Sequence, residues 1–204
     1  MKLVIVDYGM GNLFSVYKSF NRLKVDVRAS QEKDVIASAD KLILPGVGNF
    51  GMAMKNLQRL NLQDVLNEFV LVKKRPVLGI CLGMQLMTQY SEEGDSEGLG
   101  WFDAKVVRFR INNPQKFRVP HMGWNSIRVA KESPLLKGID SESEFYFVHS
   151  YHTVVSNTDD VLCTTVYESE FCSAIAKENI FGVQFHPEKS HDAGIQLLKN
   201  FITL

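Results

Sequence analysis

The sequence predicts an α/β protein with a mostly parallel sheet flanked by helices and with antiparallel β additions in its second half. Two observations lead to this prediction. In the first half, apolar runs of strand length alternate with stretches in which apolar residues recur at helical spacing. In the second half, short β-rich runs follow one another with turn-like pieces between them. The first pattern is typical of parallel sheets, and the second is typical of antiparallel ones.

The first half contains three strand signals, each followed by a helical signal. The strands are the runs KLVIVD, KLILPG and PVLGI, at residues 2–7, 41–46 and 76–80. The helical stretches that follow them span residues 13–23, 50–60, 62–70 and 82–90. We therefore expect a parallel sheet with helices on both faces.

The second half shows no helical spacing until close to its end. Its β-rich runs are AKVVRFR, NSIRVA, FYFVHS, VLCTTVYE and FCSAIAKENIFGVQFH, between residues 104 and 186. A last helix is expected at about residues 193–201. The segment 91–100, SEEGDSEGLG, is the most loop-like part of the chain, but it is too short for an interdomain linker. We therefore expect a single domain over residues 1–204.

The composition argues against several classes of function. Of the 204 residues, 45% are hydrophobic, which is enough for a sizeable core. Lysine and arginine together equal aspartate and glutamate at 23 each, so no net charge favours nucleic acid or an anionic membrane. The N-terminal apolar run is too short for a signal peptide, and no stretch reaches the roughly 18 apolar residues of a membrane helix. We expect a cytoplasmic protein that binds neither nucleic acid nor membrane.

One of the three cysteines has a distinctive position. Cys81, Cys163 and Cys172 form no CxxC pair, and an odd number indicates neither a disulfide framework nor a zinc knuckle. Cys81 is the central residue of GICLG, between a predicted strand and a predicted helix. A nucleophile at such a turn is held in a strained conformation, and the N-terminus of the next helix favours the thiolate. A buried structural cysteine is the alternative interpretation.

A thiol nucleophile needs a base, and His186 in FGVQFHPEKS is the candidate. If the strand continues through His186, then Glu188 projects from the same face and is placed to orient the imidazole. A histidine held by a carboxylate is the arrangement that nucleophilic catalysis requires.

The other histidines are less informative. His149 and His152 are three residues apart in a strand-like segment, where they would face opposite sides, so we do not expect them to share a metal ion. We interpret His121 and His191 as surface or capping residues.

Acyl transfer also needs hydrogen-bond donors for an oxyanion. The N–H of Leu82, directly after the candidate nucleophile, is one such donor. The segment LPGVGNF offers a second at Val47 or Gly48, because Gly46 and Gly48 leave the peptide planes free to rotate. An ordinary strand-to-helix turn is the alternative. DYGMGN lacks the third glycine of a dinucleotide-binding fingerprint, so we reject that function.

Together these residues resemble the class I, triad-type glutamine amidotransferases. More specifically, the motifs IVDYGMGN, LPGVGNF, GICLGMQL, PHMGWN, FYFVHSY and GVQFHPEKS are similar to those of the glutaminase subunits of imidazole glycerol phosphate synthases, which act in histidine biosynthesis. The resemblance implies that Cys81 is the nucleophile, His186 the base and Glu188 its partner. It also implies a cofactor-free enzyme that passes ammonia to a (β/α)8-barrel cyclase subunit in a heterodimer.

The resemblance further implies two groups of binding residues. Those that would hold glutamine are Gly48, Gln85, Glu93, Ser150 and Tyr151. Those that would face the cyclase are Asn12, Trp124, Tyr146 and Lys189. Three alternatives remain open: an amidotransferase that serves another synthase, such as anthranilate formation or a sugar-modifying relative; a cysteine hydrolase or peptidase with the same turn; and a non-catalytic binding domain.

Overall fold

The computed structural model of the chain describes residues 1–140 and 143–204. The strands of this described part are β1 (Leu3–Val6), β2 (Val27–Ser30), β3 (Lys41–Gly46), β4 (Val77–Cys81), β5 (Tyr90–Ser91), β6 (Ser96–Glu97), β7 (Ala104–Arg108), β8 (His121–Ser126), β9 (Arg128–Val129), β10 (Glu144–His149), β11 (Tyr151–Val155), β12 (Val161–Tyr167), β13 (Ser169–Lys177) and β14 (Ile180–Val183). The α-helices are α1 (Leu13–Arg22), α2 (Lys33–Ala37), α3 (Phe50–Arg59), α4 (Gln63–Asn67), α5 (Leu82–Leu86) and α6 (His191–Thr203).

A mixed sheet of twelve strands runs through the molecule. Its parallel part has the strand order β2-β1-β3-β4-β14, and each neighbouring pair in this part is parallel. Because the carboxyl ends of parallel strands meet at one edge, β3 and β4 end side by side, with Gly46 opposite Cys81. This edge brings the LPGVGNF and GICLG motifs together.

The antiparallel additions extend the sheet beyond β14. Strand β13 pairs antiparallel with β14, and β11 and β7 continue the sheet in the antiparallel sense. Strands β8 and β10 form a separate antiparallel sheet of two strands. The predicted fold class, a parallel sheet with helices and antiparallel additions, is confirmed.

Each face of the large sheet is covered by its own apolar layer. In β1, Ile5 packs into one layer with Phe20 of α1, while Val6 packs into the other with Phe50 of α3. All four side chains have no exposed surface. Burying a side chain of this kind stabilises the fold by about 1.5–3 kcal/mol, so the two layers hold the central strands from both sides.

None of the helices in residues 1–140 and 143–204 has the length and apolar character needed to span a bilayer.

Several predicted elements have different limits in the structure. The helix expected over residues 82–90 ends at Leu86, because Tyr90 and Ser91 pair with β7 and β6 instead. The loop-like segment 91–100 therefore contains a short strand, β6. The run NSIRVA is divided between β8, which ends at Ser126, and β9.

Two further elements, strand β2 and helix α2, lack a sequence signal. Strand β2 lies at the edge of the sheet, and its two central residues are exposed, so it shows no apolar run. Helix α2 has five residues, which is too short to display helical spacing. The last helix, α6, is longer than expected and begins at His191.

Candidate active site

Cys81 lies at a strained turn between β4 and α5. Its φ is +54° and its ψ is −111°, in a region that non-glycine residues rarely occupy. Such strain costs about 1–3 kcal/mol and persists only where the surroundings enforce it. A Cβ atom on Gly83 would collide with the carbonyl oxygen of Leu44, and one on Gly79 would collide with Met87. The turn therefore closes only with glycine at both flanking positions, as the pentapeptide predicts.

His186 and Glu188 form a buried pair. Nδ1 of His186 lies 2.8 Å from Oε1 of Glu188, and each side chain is 2% exposed. The expectation that they share the face of a continuing strand is wrong, because β14 ends at Val183 and Pro187 begins a 3-10 turn that ends at Lys189. This turn, rather than strand alternation, brings the carboxylate back to the ring.

The backbone of His186 is also fixed. Its N–H donates a hydrogen bond of 2.9 Å to the carbonyl of Tyr146 in β10. Its own carbonyl accepts a hydrogen bond of 2.6 Å from Oγ of Ser190. His186 is thus held by the contact of its ring with Glu188 and by hydrogen bonds at both its N–H and its carbonyl.

The surroundings of His186 favour its protonated form. Burial alone would lower the pKa of His186, but the negative charge available at Cys81 and the Glu188 carboxylate outweigh burial and raise the pKa above its ordinary value. The second ring nitrogen, Nε2, is buried, and a hydrogen bond to Cys81 is among the contacts that raise this pKa. An imidazolium whose Nε2 carries a proton is the state needed to pair with a thiolate and to protonate a leaving group.

One cavity of about 310 Å³ connects these groups. This volume is at the lower end of the range for small-molecule sites, about 300–1,000 Å³. The residues that line it are Val47, Gly48, Cys81, Leu82, Gln85, Glu93, Pro120, Val148, His149, Ser150, Tyr151 and His186. Every residue assigned to glutamine binding or to the oxyanion is among them, and Glu188 lies behind His186.

The segment after β3 borders the cavity opposite the nucleophile. Gly48 has a φ of +104°, and Val47 is 40% exposed. The hydroxyl of Tyr8 donates a hydrogen bond of 2.6 Å to the carbonyl of Pro45, and a Cβ atom on Gly46 would collide with that hydroxyl. Burial and the nearby Cys81 raise the pKa of Tyr8, so Tyr8 keeps its proton and remains a donor.

Two of the residues assigned to glutamine binding make defined contacts within the protein. Oε2 of Glu93 accepts a hydrogen bond of 2.8 Å from the N–H of Phe50, at the start of α3. Nε2 of Gln85 donates to the Tyr151 carbonyl at 3.1 Å and to Oε1 of Gln184 at 2.9 Å. These contacts fix both side chains at the cavity wall.

Sequence reasoning missed Gln184. Its side chain has no exposed surface, and its Nε2 lies 3.7 Å from Sγ of Cys81. The signal available in the sequence is a single polar residue within the otherwise apolar run IFGVQF. Tyr8 was missed as well, although it follows β1 in the DYGMGN motif.

Three of the residues expected to face a partner form one surface group. The rings of Trp124 and Tyr146 meet edge to face at 6.0 Å, and Nζ of Lys189 lies 5.5 Å from the Tyr146 ring. His191 stacks on Trp124 with ring centroids 4.8 Å apart. Asn12 lies at the N-cap of α1, where its Oδ1 accepts a hydrogen bond of 3.2 Å from the N–H of Ser15.

The remaining histidines differ from expectation. His121 is neither a surface nor a capping residue: it is buried and hydrogen-bonded to His149 at 3.0 Å. His149 and His152 belong to different strands, and both rings contact Phe109, at 5.2 Å and 4.6 Å. Within residues 1–140 and 143–204, no group of three or more His, Cys, Asp or Glu side chains is arranged to hold a metal ion.

Comparison with known proteins gives three findings. The sequence model of the family described as Glutamine amidotransferase class-I matches residues 4–204. Imidazole glycerol phosphate synthase subunit HisH 2 of Methanococcus maripaludis is 48% identical over 200 residues, 98% of each chain, and the protein of the same name in Pseudomonas aeruginosa is 48% identical over 202 residues, 99% of each chain. The solved structure of PurLQS from Thermotoga maritima covers 99% of this chain and 97% of its own with a TM-score of 0.74, at 15% identity, which shows a likeness of fold alone.

The chain belongs to the class I glutamine amidotransferase family, because the family model matches nearly its whole length. It is therefore a glutamine amidotransferase, an enzyme. The more specific resemblance indicated by the motifs, to the glutaminase subunits of imidazole glycerol phosphate synthases, is confirmed by relatives of that name.

Proposed function

We propose that this chain is the glutaminase subunit of an imidazole glycerol phosphate synthase and that it hydrolyses glutamine through Cys81, His186 and Glu188. The observation that supports this most is the cavity. A single space is lined by the thiol, by the imidazole and by every residue that the family motifs assign to glutamine. The two relatives described above, which match over nearly their full length, are named as subunits of imidazole glycerol phosphate synthase.

Hydrolysis begins when the thiolate of Cys81 attacks the side-chain amide carbon of glutamine. The carbonyl electrons move to oxygen, and the oxyanion is stabilised by the N–H of Leu82 and by an N–H of Val47 or Gly48. The intermediate then collapses with cleavage of the C–N bond. The imidazolium of His186 gives its proton to the leaving nitrogen, so ammonia departs and a thioester remains.

Water completes the reaction. The neutral His186 takes a proton from water, the resulting hydroxide attacks the thioester carbon, and the C–S bond breaks to release glutamate and regenerate the thiolate. Glu188 accepts the hydrogen bond from Nδ1 of His186 throughout, which keeps the tautomer with Nε2 available for proton transfer. None of these steps requires a metal ion or an organic cofactor.

The ammonia needs a consumer, and the subunit name of the relatives implies a second synthase subunit. We propose that this subunit is a (β/α)8-barrel cyclase, bound as a heterodimer at the face that carries Trp124, Tyr146 and Lys189, with Asn12 also contributing. The exposure of Trp124, at 44%, supports this, because large aromatic side chains on a surface are typical of interfaces. A cytoplasmic location and a single domain over residues 1–204 stay predictions from the sequence.

Transfer of ammonia to a cyclase tests the proposal. The chain is mixed with a histidine-pathway cyclase and its nucleotide substrate, with either glutamine or an ammonium salt as the nitrogen source. We expect glutamine to support the cyclase reaction only when this chain is present, and ammonium to support it without the chain. Stimulation by an anthranilate or sugar-modifying synthase instead, or peptide hydrolysis without glutamine hydrolysis, would favour one of the alternatives.

Two substitutions test the roles within the triad. We expect His186→Ala to lower kcat by about 10⁴-fold and Glu188→Gln by about 10²-fold, because the first removes the proton carrier and the second keeps part of its orientation. Both are measured as glutamate release in the presence of the partner, with thermal unfolding as a check on folding. Equal losses in folded variants would mean that Glu188 does more than orient His186, and wild-type turnover would remove the pair from the mechanism.

A further inference from the structure

Two buried histidines that the proposed mechanism does not use are hydrogen-bonded to each other, and one of them, His149, lies at the wall of the glutamine cavity. His121 and His149 face each other across the two-stranded sheet of β8 and β10, and they are 3% and 7% exposed. A hydrogen bond of 3.0 Å joins Nδ1 of His121 to Nε2 of His149. Because His149 also lines the cavity, the pair extends from the protein core to the space for the substrate.

The partners of the two rings fix the positions of their hydrogens. Nδ1 of His149 is 2.7 Å from the carbonyl oxygen of Tyr151, which only accepts, so Nδ1 donates. In a neutral ring Nε2 of His149 then accepts, so Nδ1 of His121 donates to it. The remaining nitrogen, Nε2 of His121, accepts from Nδ2 of Asn125 at 3.4 Å. A directed chain of hydrogen bonds therefore leads from Asn125 to Tyr151.

Both rings are held in the neutral form. Burial lowers the pKa of His121 to about 4. Burial also lowers the pKa of His149 to about 3, although its hydrogen bond to Tyr151 acts in the opposite direction. A further proton on His121 would occupy its Nε2 and set that N–H against the N–H₂ group of Asn125. A further proton on His149 would make its Nε2 a donor, so Nδ1 of His121 would have to accept and the hydrogen of His121 would move to Nε2, against the same N–H₂ group. The series of hydrogen bonds from Asn125 to Tyr151 is therefore complete only when both histidines are uncharged.

The Tyr151 carbonyl connects this series of hydrogen bonds to the end of the cavity that holds Cys81. The same oxygen accepts from Nε2 of Gln85, which also donates to Oε1 of Gln184. Nε2 of Gln184 in turn lies 3.7 Å from Sγ of Cys81. The Tyr151 carbonyl is thus held between the histidine pair on one side and the amide side chains that lead to the nucleophile on the other.

We propose that His121 and His149 are positioning residues for glutamine, which hold the Tyr151 carbonyl and thereby set the shape of the cavity wall that receives the substrate. This rests on the proposed function, because it concerns how the same cavity binds glutamine. The pair is outside the proton-transfer and bond-breaking steps, so its loss weakens the binding of a glutamine-like ligand and leaves the intrinsic reactivity of Cys81 unchanged. A merely structural role would not produce this selective effect.

Covalent labelling of Cys81 separates the two roles. The full chain is treated with acivicin, an electrophilic glutamine analogue, or with iodoacetamide, which lacks the amino-acid group, and Cys81 modification is followed by mass spectrometry. His121→Phe keeps an aromatic ring to stack on Phe147 and Tyr167 but removes the donor to His149. We expect the half-saturating acivicin concentration to rise about five- to tenfold, with the maximal rate and the iodoacetamide rate unchanged within about twofold.

Two variants serve as controls. His152→Phe changes a histidine of the same aromatic cluster that takes no part in the chain of hydrogen bonds, and its ring lies 4.6 Å from Phe109. His121→Asn supplies an amide donor in place of Nδ1 and is the rescue variant. We expect both to keep the half-saturating acivicin concentration of the wild type within about twofold, since neither loses the donated hydrogen bond.

Several outcomes would overturn the proposal. They are an unchanged half-saturating acivicin concentration in folded His121→Phe, an equal rise in His152→Phe, or a parallel loss of iodoacetamide labelling. If His121→Phe does not fold, Asn125→Ala at its half-buried position removes the first donor and is expected to raise the concentration about two- to threefold; no rise would equally overturn the proposal. A wild-type chain whose Cys81 is not labelled by acivicin even with the partner bound would instead contradict the proposed function.

Discussion

Replacing Cys81 with alanine is expected to abolish glutamine hydrolysis and to leave the fold intact. The thiolate supplies the electron pair that forms the thioester, and alanine has no substitute for it. We expect kcat to fall by at least about 10⁴-fold, and Cys81→Ser to behave in the same way because its hydroxyl is far less acidic. Glutamate release is measured in the presence of the partner, and thermal unfolding reports on the fold. Retained turnover in either variant would contradict the assignment of Cys81 as the nucleophile.

Site-specific labelling provides the control for this prediction. Acivicin should modify Cys81 and neither of the other cysteines, because burial raises the pKa of Cys163 and of Cys172 to about 12 and keeps both as thiols. Cys172→Ala is the matched variant, since it removes a buried cysteine away from the cavity. We expect it to retain wild-type labelling. Modification of Cys163 or Cys172 in place of Cys81 would be incompatible with the mechanism.

The second large effect concerns activation by the partner. We expect the barrel subunit with its nucleotide ligand to raise the glutaminase kcat by about 10²–10³-fold, with much less change in KM for glutamine. The reason lies in the segment from Gly46 to Gly48. We infer that one orientation of its peptide planes would direct a carbonyl at the oxyanion, whereas another would direct an N–H there, and a missing donor costs about 3–4 kcal/mol. Ammonia would otherwise be wasted by an unpaired subunit.

Steady-state rates test this activation. The chain is measured alone, then with the partner, and then with the partner and its ligand. Val47 is 40% exposed and belongs to neither apolar layer, and Gly48 has a positive φ of +104°. We expect partner contact at Trp124, Tyr146 and Lys189 to be coupled to the oxyanion donors. A pure subunit that already runs at the rate of the full complex would show that this segment is not a gate.

The sequence predicts the parts of the fold that depend on local pattern. The central strands read as apolar runs because both of their faces are buried, and the turn at Cys81 is visible because its geometry demands glycine on either side. Strand β2 was not predicted, because it lies at the edge of the sheet and its two central residues are exposed, so it shows no apolar run. Tyr90 and Ser91 continue a helical pattern in the sequence but form strand β5, because they pair with Lys105 and Val106 of β7. The spacing of apolar residues does not report such a pairing.

The candidate site can be proposed from the sequence where a residue type and its spacing define a chemistry. The assignment of Cys81, His186 and Glu188 rests on the need for a nucleophile, a base and an orienting acid, and it stays a prediction. The buried hydrogen bonds were not predictable, because Gln184 and His121 acquire their roles only from partners brought in by the fold. The same holds for the turn at Pro187, which positions Glu188 in a way that strand alternation does not.

The two candidate reacting side chains follow neighbouring strands of the twelve-stranded sheet. Cys81 ends β4, and His186 comes three residues after β14, which pairs with β4. The backbone N–H of His186 is in addition bonded to Tyr146 in the two-stranded sheet. The position of the imidazole therefore depends on both sheets, and a small tilt of the lesser sheet would change the distance between thiol and imidazole while every strand and helix stayed whole.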